Sequence, residues 1–322
     1  MHAAIEYGLW LHNIYKKNAT PELFVLIDNL SKEDYRGLKV PRAVLGRFFP
    51  WLNLMSPEWA QQNKDTLFPE DDLAKFSPGW IAYICHCKPF MDIFPILESK
   101  YRHSLSKQGI IGGERNYYDS RLTQHIATFY LRGLIPIESE LMELALSQKS
   151  EKEIFDVIGR WLNGDVLDGT VERAVNLWDF YFDTRIKNKT PTLEQKKVLS
   201  GFSRWVESPL LDMRWKLDHL QELIKLEVPL SDVRGMCEGL AEASNENIEQ
   251  VLTIFRDLIS NNIIDHFVLL HRKELHTVLE KGCRNESGSI QKLTDKIVNM
   301  LGEKGYSGYD IYLQGKRNKM SE

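Results

Sequence analysis

Apolar residues recur on the period of an α-helix along nearly the whole chain, and this spacing constrains the fold more than any other feature. In residues 212–226, Met213, Leu217, Leu220 and Ile224 follow i, i+4, i+7, i+11 and form one stripe on a helix. In 247–260, Ile248, Val251, Leu252, Phe255, Leu258 and Ile259 cover a wider face, which implies burial against two neighbours. No alternating apolar–polar run extends beyond a few residues, so strands are not expected.

Helix starts carry a repeated signature, a hydroxyl residue followed by proline. Thr20-Pro21, Ser56-Pro57, Ser77-Pro78, Thr190-Pro191 and Ser208-Pro209 each precede a periodic segment. The hydroxyl can accept from a first-turn N–H, and proline loses nothing where its own N–H would lack an acceptor. Ser150 with Glu153 reads as a capping box. Gly164, Gly282 and Gly305 read as helix stops, since glycine tolerates the left-handed conformation that ends many helices.

Read in order, the second half predicts four helix pairs: 150–163 with 168–187, 191–206 with 210–226, 230–243 with 246–261, and 266–281 with 288–304. First helices open roughly 36–41 residues apart, between the tetratricopeptide and the HEAT or armadillo periods. One pair cannot bury its own apolar face, whereas a stack of pairs shares a continuous core. The expected fold is therefore all-α, an α-helical solenoid of HEAT/TPR-like stacked pairs. The first half is less regular, with helices expected at 1–17, 22–29, 41–49, 57–64, 80–104, 118–131 and 138–147. A division near residue 149 separates an irregular helical region, 1–149, from a repeat region, 150–322.

Composition narrows the function classes. Of 322 residues, 41 are Lys or Arg and 45 are Asp or Glu, a net charge of −4 that disfavours a broad nucleic-acid footprint. No run approaches the roughly 20 apolar residues of a membrane span, and the first residues lack a secretory pattern. Four cysteines do not make a disulfide framework, so reduced thiols in a cytoplasmic protein are expected.

Local motifs argue against several chemistries. His271, Glu274 and His276 resemble an inverted zinc-peptidase pattern, but Leu275 intervenes and turns the second imidazole about 140° around the helix. On a helix Cys85 and Cys87 would point about 200° apart, so Cys85-His86-Cys87 cannot grip one ion. The glycine-rich stretch 109–115 continues into Glu114 rather than a phosphate-binding lysine. Residues 201–205 lack the last glycine of a nucleophile elbow. No catalytic residue, metal ligand or cofactor is assigned. An enzyme assembled from distant residues stays open as an alternative, with His125, His219 or His266 beside an acid. So does a nucleic-acid-binding solenoid. The basic tail Lys316-Arg317-Asn318-Lys319 reads as a solvated end.

Aromatic residues punctuate the predicted pairs: Trp161, Trp178, Trp205 and Trp215, with Phe180, Tyr181 and Phe182 beside Trp178. Most are expected in the core. The last three are consecutive and cannot all face one way, so one is expected at a groove or surface.

The run 176–185, Asn-Leu-Trp-Asp-Phe-Tyr-Phe-Asp-Thr-Arg, precedes Thr190-Pro191 and Glu194, then Gly201-Phe202-Ser203-Arg204-Trp205 and Met213-Arg214-Trp215-Lys216-Leu217. Together with Phe68-Pro69, Trp80-Ile81-Ala82-Tyr83, Tyr101, the stretch His125 to Ile135, Ile158-Gly159 and residues 299–305, this order resembles the C-terminal helical region of large bacterial antiviral proteins. Those proteins carry a STAND-type nucleoside-triphosphatase module or a sirtuin-like effector upstream. The resemblance implies a helical sensor that docks a phage structural or packaging protein while attached modules bind nucleotide and kill. This chain contains no Walker lysine loop and no effector signature, and the matching positions read as scaffold.

The expected function is a non-enzymatic protein-binding scaffold, a sensor region of an anti-phage defence protein, with a phage protein or an NTPase/effector module as partner and no membrane partner. The expected docking patch lies on helices 168–187 and 191–206, centred on Tyr181, Arg185 and Arg204.

Overall fold

The helical period is realised throughout the computed structural model, which describes residues 1–15, 21–30, 39–112, 116–147, 151–164, 168–231, 233–261 and 272–313. Among these residues the regular elements are all helical and no strand occurs. Packing divides the chain into two units, Met1–Ile154 and Phe155–Glu322.

Unit 1 contains α1 (His2–Tyr15), α2 (Pro21–Leu30), α3 (Lys39–Met55), α4 (Pro57–Leu67), α5 (Leu73–His86), α6 (Phe94–Ser106), α7 (Asn116–Leu131) and α8 (Glu140–Ser147). Its tightest crossing is α3 on α5. A Cβ added to Gly46 would lie 2.0 Å from the carbonyl oxygen of Gly79, so the two backbones meet only because neither residue has a side chain. This crossing gathers Phe49, Phe68, Phe76, Trp80 and Tyr83 into one ring cluster.

Unit 2 repeats a simpler plan. The next helix, α9 (Glu151–Trp161), carries the division. Its first turn is tied to unit 1 by Ser120 Oγ donating to Glu153 Oε1 at 2.7 Å. From Phe155 on it packs in unit 2, where the Phe155 carbonyl accepts from Trp205 Nε1 at 3.3 Å. The packing boundary falls at 154/155, inside α9. Then come α10 (Thr170–Tyr181), a π turn (Phe182–Ile186), α11 (Leu193–Leu199), a 3-10 turn (Ser200–Phe202), α12 (Ser203–Glu207), α13 (Met213–Lys225), α14 (Val233–Ala243), α15 (Ile248–Ser260), α16 (Arg272–Arg284), α17 (Gly288–Glu303) and a closing 3-10 turn (Asp310–Tyr312). First helices stack on first helices, α12 on α14 and α14 on α16. Second helices stack on second helices, α13 on α15 and α15 on α17. This is helical-repeat packing, and it explains the wide apolar face of α15, which touches α13, α16 and α17.

The hydroxyl–proline signature marks helix starts less often than the sequence suggests. Ser56 caps α4, its Oγ accepting from Trp59 N–H at 3.3 Å. Pro78 instead lies inside α5, which opens at Leu73 with Asp72 as its cap, while Ser77 Oγ donates to Leu73 O at 2.7 Å. Thr192 rather than Thr190 caps α11, through a reciprocal box with Gln195. Asp212 rather than Ser208 caps α13, and the Ser208 hydroxyl donates to Leu162 O at 2.7 Å. Thr20 and Ser150 lie outside the described residues.

The helix expected at 80–104 is two, α5 and α6, separated at 87–93. Pro89 forces the break, because proline pushes its predecessor away from the helical region. Gly305 ends α17 as expected, with φ +85° and Tyr306 N–H donating to Leu301 O at 2.9 Å. Gly164 follows the end of α9 without a positive φ. Gly282 is no stop. It sits inside α16, where an added Cβ would meet Thr294 Oγ1 at 2.4 Å, so it permits a close helix crossing.

Cations close several helix C-termini, where carbonyls lack intrahelical donors. Arg42 donates to Thr66 O and Leu67 O, both at 3.0 Å, at the end of α4. Lys216, 1% exposed, donates to Val206 O at 3.0 Å and Ser208 O at 2.7 Å at the end of α12. Lys281 donates to Ala241 O, Ser244 Oγ and Asn245 Oδ1 at the end of α14. These basic residues are occupied internally rather than offered to an anionic ligand.

Candidate functional site

The densest group of functional side chains in unit 2 surrounds Trp178. This tryptophan is buried in the last turn of α10, with Phe202 at 4.2 Å, Trp205 at 5.5 Å and Phe155 at 5.7 Å between ring centroids. The box ends in a polar edge. Asp179, next on α10, has a half-exposed carboxylate whose Oδ1 accepts from Trp215 Nε1 at 3.1 Å and from His219 Nε2 at 3.2 Å. Trp215 and His219 are one turn apart on α13, so a single carboxylate ties two helices together. Burial depresses the basicity of His219, and Asp179 opposes that only partly. Neutral imidazole donating through Nε2 is the resulting state. Its Nδ1 is buried among the rings of Trp178, Phe182 and Phe202, so the lone pair a general base needs is closed to a substrate.

The segment after Trp178 leaves the α-helical register. Lys187 N–H donates to Phe182 O at 2.9 Å, closing a π turn, and Asn188 follows at φ +60°. The turn keeps both Phe182 and Ile186 in the core while Asp183 and Thr184 face solvent. Its carbonyls are engaged from outside: Lys189 Nζ donates to Thr184 O at 2.8 Å, and Gln195 Nε2 to Arg185 O at 3.4 Å.

Against this geometry the expected patch changes. Tyr181 is completely buried, its ring 5.0 Å from that of Phe155, and is corrected to a core residue. The helix phase decides this: Tyr181 shares the inward face with Leu177 and Trp178, and the partly exposed member of the aromatic triplet is Phe180. Arg185 is half-buried beside α11. Arg204, also half-buried, has its Cβ 3.5 Å from the position a Gly159 side chain would take, and its carbonyl accepts from Asn163 Nδ2 at 3.2 Å. Asp179, Trp215 and His219 were not singled out together from sequence. The available signal was a Trp-Asp step on one helix and a Trp–His pair at i, i+4 on another.

His125 lies deep in unit 1. Its Nε2 faces Cys87 O at 3.1 Å and must carry the proton, so Nδ1 accepts from Tyr101 Oη at 2.7 Å. Tyr101 Oη also lies 3.1 Å from Tyr83 Oη. Burial pushes the His125 pKa down to about 3, and both ring nitrogens are engaged. His266 and His271 lie outside the described residues. His276 is held by the closing turn, with Nδ1 2.8 Å from Tyr312 Oη and its ring stacked 4.7 Å from Tyr309. Cys87 is buried, its thiol donating to Arg47 O at 3.1 Å, while Cys85 is half-buried. Among the described residues no three His, Cys, Asp or Glu side chains are placed to hold a metal ion. Nor is any helix among them long and apolar enough to cross a membrane. An open groove of about 510 Å³ lies at the start of α15 between Gln221, Glu246, Glu249 and Ile290. Comparison with family models, characterised proteins and solved structures finds no match for this chain.

Proposed function

We propose that the chain is a protein-binding helical-repeat module, the sensor region of a bacterial antiviral protein of the STAND-type NTPase or sirtuin-effector kind, acting in the cytoplasm. One observation carries the reading: the rigid ring box around Trp178 ends at an Asp179–Trp215–His219 edge whose carboxylate is half-exposed, and the π turn bearing Arg185 follows Asp179 on the same chain segment. An aromatic fixed by a hydrogen bond to a carboxylate suits protein recognition, because little side-chain freedom is lost on docking. The run 176–185 that carries this edge also carries the resemblance to antiviral sensors. A phage structural or packaging protein is the partner class, and an attached NTPase or effector module would read out its binding. The internal use of Arg42, Lys216 and Lys281 weighs against a nucleic-acid groove.

The test is capture by the immobilised full chain from lysates of infected and uninfected bacteria, with Arg185→Glu and Trp215→Ala beside the wild type. One phage protein retained only from infected cells, and lost with Arg185→Glu at unchanged helicity, is the expected result. Equal capture from both lysates, or retained nucleic acid that elutes steeply with salt, would overturn the reading.

A further inference from the structure

The first helix has apolar residues on both sides. Ile5 faces inward, and a Cβ on Gly8 would meet Leu23 Cδ2 at 2.4 Å and Met55 Sδ at 3.3 Å. On the opposite side Tyr7, Trp10 and Ile14 follow i, i+3, i+7, within about 60° of one another on a helical wheel. They are 61%, 50% and 53% exposed, and Tyr15 beside them is 58% exposed. The rings form a continuous plate, Tyr7 stacked on Trp10 at 5.8 Å and Trp10 edge-on to Tyr15 at 6.4 Å. Helix α1 contains no Lys or Arg, and its single carboxylate, Glu6, pairs with His2 at 3.3 Å. A helix with apolar residues on both faces is ordinarily a buried helix.

We propose that this face is a self-association surface, on which a second copy of the chain lays its own α1 antiparallel about a twofold axis. Three arguments select a second copy. The apolar set Tyr7, Trp10, Leu11 and Ile14 is symmetric about the point between Trp10 and Leu11, so a twofold there sets Tyr7 of one copy opposite Ile14 of the other and Trp10 opposite Leu11. The same twofold holds the two Glu6 carboxylates about 14 Å apart along the seam at 1.5 Å rise per residue. That exceeds the ~8 Å screening length at physiological salt, so the two carboxylates are screened from one another. Third is area. A fully buried aromatic hides about 150–250 Å², so the half-exposed rings with Ile14 hide roughly 400 Å² per copy. A total near 800 Å² belongs to weak, concentration-dependent complexes.

Sedimentation equilibrium of the full chain from about 1 to 200 µM tests this, with Trp10→Glu and Ile14→Glu as variants. The proposal does not rest on the function proposed above, and no phage partner enters the experiment. The wild type is expected to pass from monomer to dimer across this range, while both variants remain monomeric with unchanged melting temperature, because their side chains face outward. A wild type monomeric at every concentration overturns the proposal. So does dimerisation of either folded variant as strong as that of the wild type.

Discussion

Units 1 and 2 are of similar length but dispose of large apolar side chains differently. Eleven large hydrophobic residues are exposed in unit 1, from Tyr7 to Leu134, against Leu193, Leu210 and Ile311 in unit 2, among the described residues. Unit 2 achieves this by stacking like helix on like helix, so each apolar stripe has a neighbour on both sides. Unit 1 closes around the α3–α5 crossing, and α1, which packs on α3 by its inner side, keeps an uncovered outer face. Repetition covers surface that one tight crossing does not. The crossings also differ in tolerance. Gly46 abuts the backbone of Gly79, whereas Gly282 abuts the side chains of Thr294 and Leu252. Gly46→Ala is therefore expected to cost about 3 kcal/mol or more, since backbone must move, and Gly282→Ala about 1–2 kcal/mol. Hydrogen exchange resolved by peptide checks this: Gly46→Ala should strip protection from 39–86 and leave 213–225, 248–260 and 272–303 protected. Equal losses in both variants would mean that the two crossings are equally rigid.

Buried lysines sharpen the contrast. Lys100 in unit 1 meets carboxylates, Asp65 at 2.6 Å and Glu70 at 2.7 Å. Burial depresses its basicity, but those hydrogen bonds outweigh burial and the net shift is upward. Lys216 in unit 2 meets only carbonyls, and burial leaves it shifted downward despite Glu242 and Asp212. Replacing Lys216 by Met abandons the Val206 and Ser208 carbonyls in the interior, at about 1–3 kcal/mol each. Lys100→Met leaves carboxylates that water still reaches, 70% and 37% exposed, and should cost less. Urea midpoints of the two variants order the effects, and the reverse order would refute the capping role given to Lys216.

How legible these differences were depends on the range over which each is determined. The pairs of unit 2 follow from local periodicity, so Met213–Lys225 and Ile248–Ser260 lie within three residues of expectation at each end. The Gly46–Gly79 crossing is a contact across 33 positions that no window contains, and Pro78, which reads locally as a helix start, sits inside α5, a helix that Asp72 opens and caps. The misassignment of Tyr181 has the same origin. A consecutive Phe-Tyr-Phe fixes that one ring turns outward, but the phase is set by tertiary partners, Phe155 for Tyr181 and His219 for Phe182. Asp179 escaped notice because a lone acid on a helix is ordinary until the other helix brings Trp215 and His219 to it.

Acid should separate the units as well. His125 is neutral when folded, with a pKa of about 3, and takes a proton when unfolded below about 6.5. Between those values the unfolded state holds more protons, so stability is complete above the upper value and declines as pH falls toward the lower, by roughly 1.4 kcal/mol per pH unit for one group. His103 in unit 1, its basicity also lowered by burial, acts in the same direction. In unit 2, His219 retains the opposing pull of Asp179, which moderates the effect. Between pH 6.5 and 5, unit 1 is expected to lose exchange protection faster than unit 2. His125→Gln should flatten that slope, and an unchanged slope would show that another group carries it.

The smallest effect concerns helix caps. In unit 1 the cap of α4 is one-sided, Ser56 Oγ accepting from Trp59 N–H. In unit 2, Thr192 Oγ1 accepts from Gln195 N–H at 3.2 Å while Gln195 Oε1 accepts from Thr192 N–H at 2.9 Å. Helix α11 is only 7 residues long and passes directly into a 3-10 turn, so it has few intrahelical bonds of its own to resist fraying. Thr192→Ala is expected to cost about 1 kcal/mol, with Ser56→Ala at or below that. The readout should be local, because α11 carries Gln195, whose amide holds the carbonyl of Arg185. If the π turn is a preorganised part of the docking edge, Thr192→Ala weakens partner capture without altering a contacting side chain, whereas Ser56→Ala leaves capture unchanged. Equal capture by both variants would mean that Arg185 needs no support from α11.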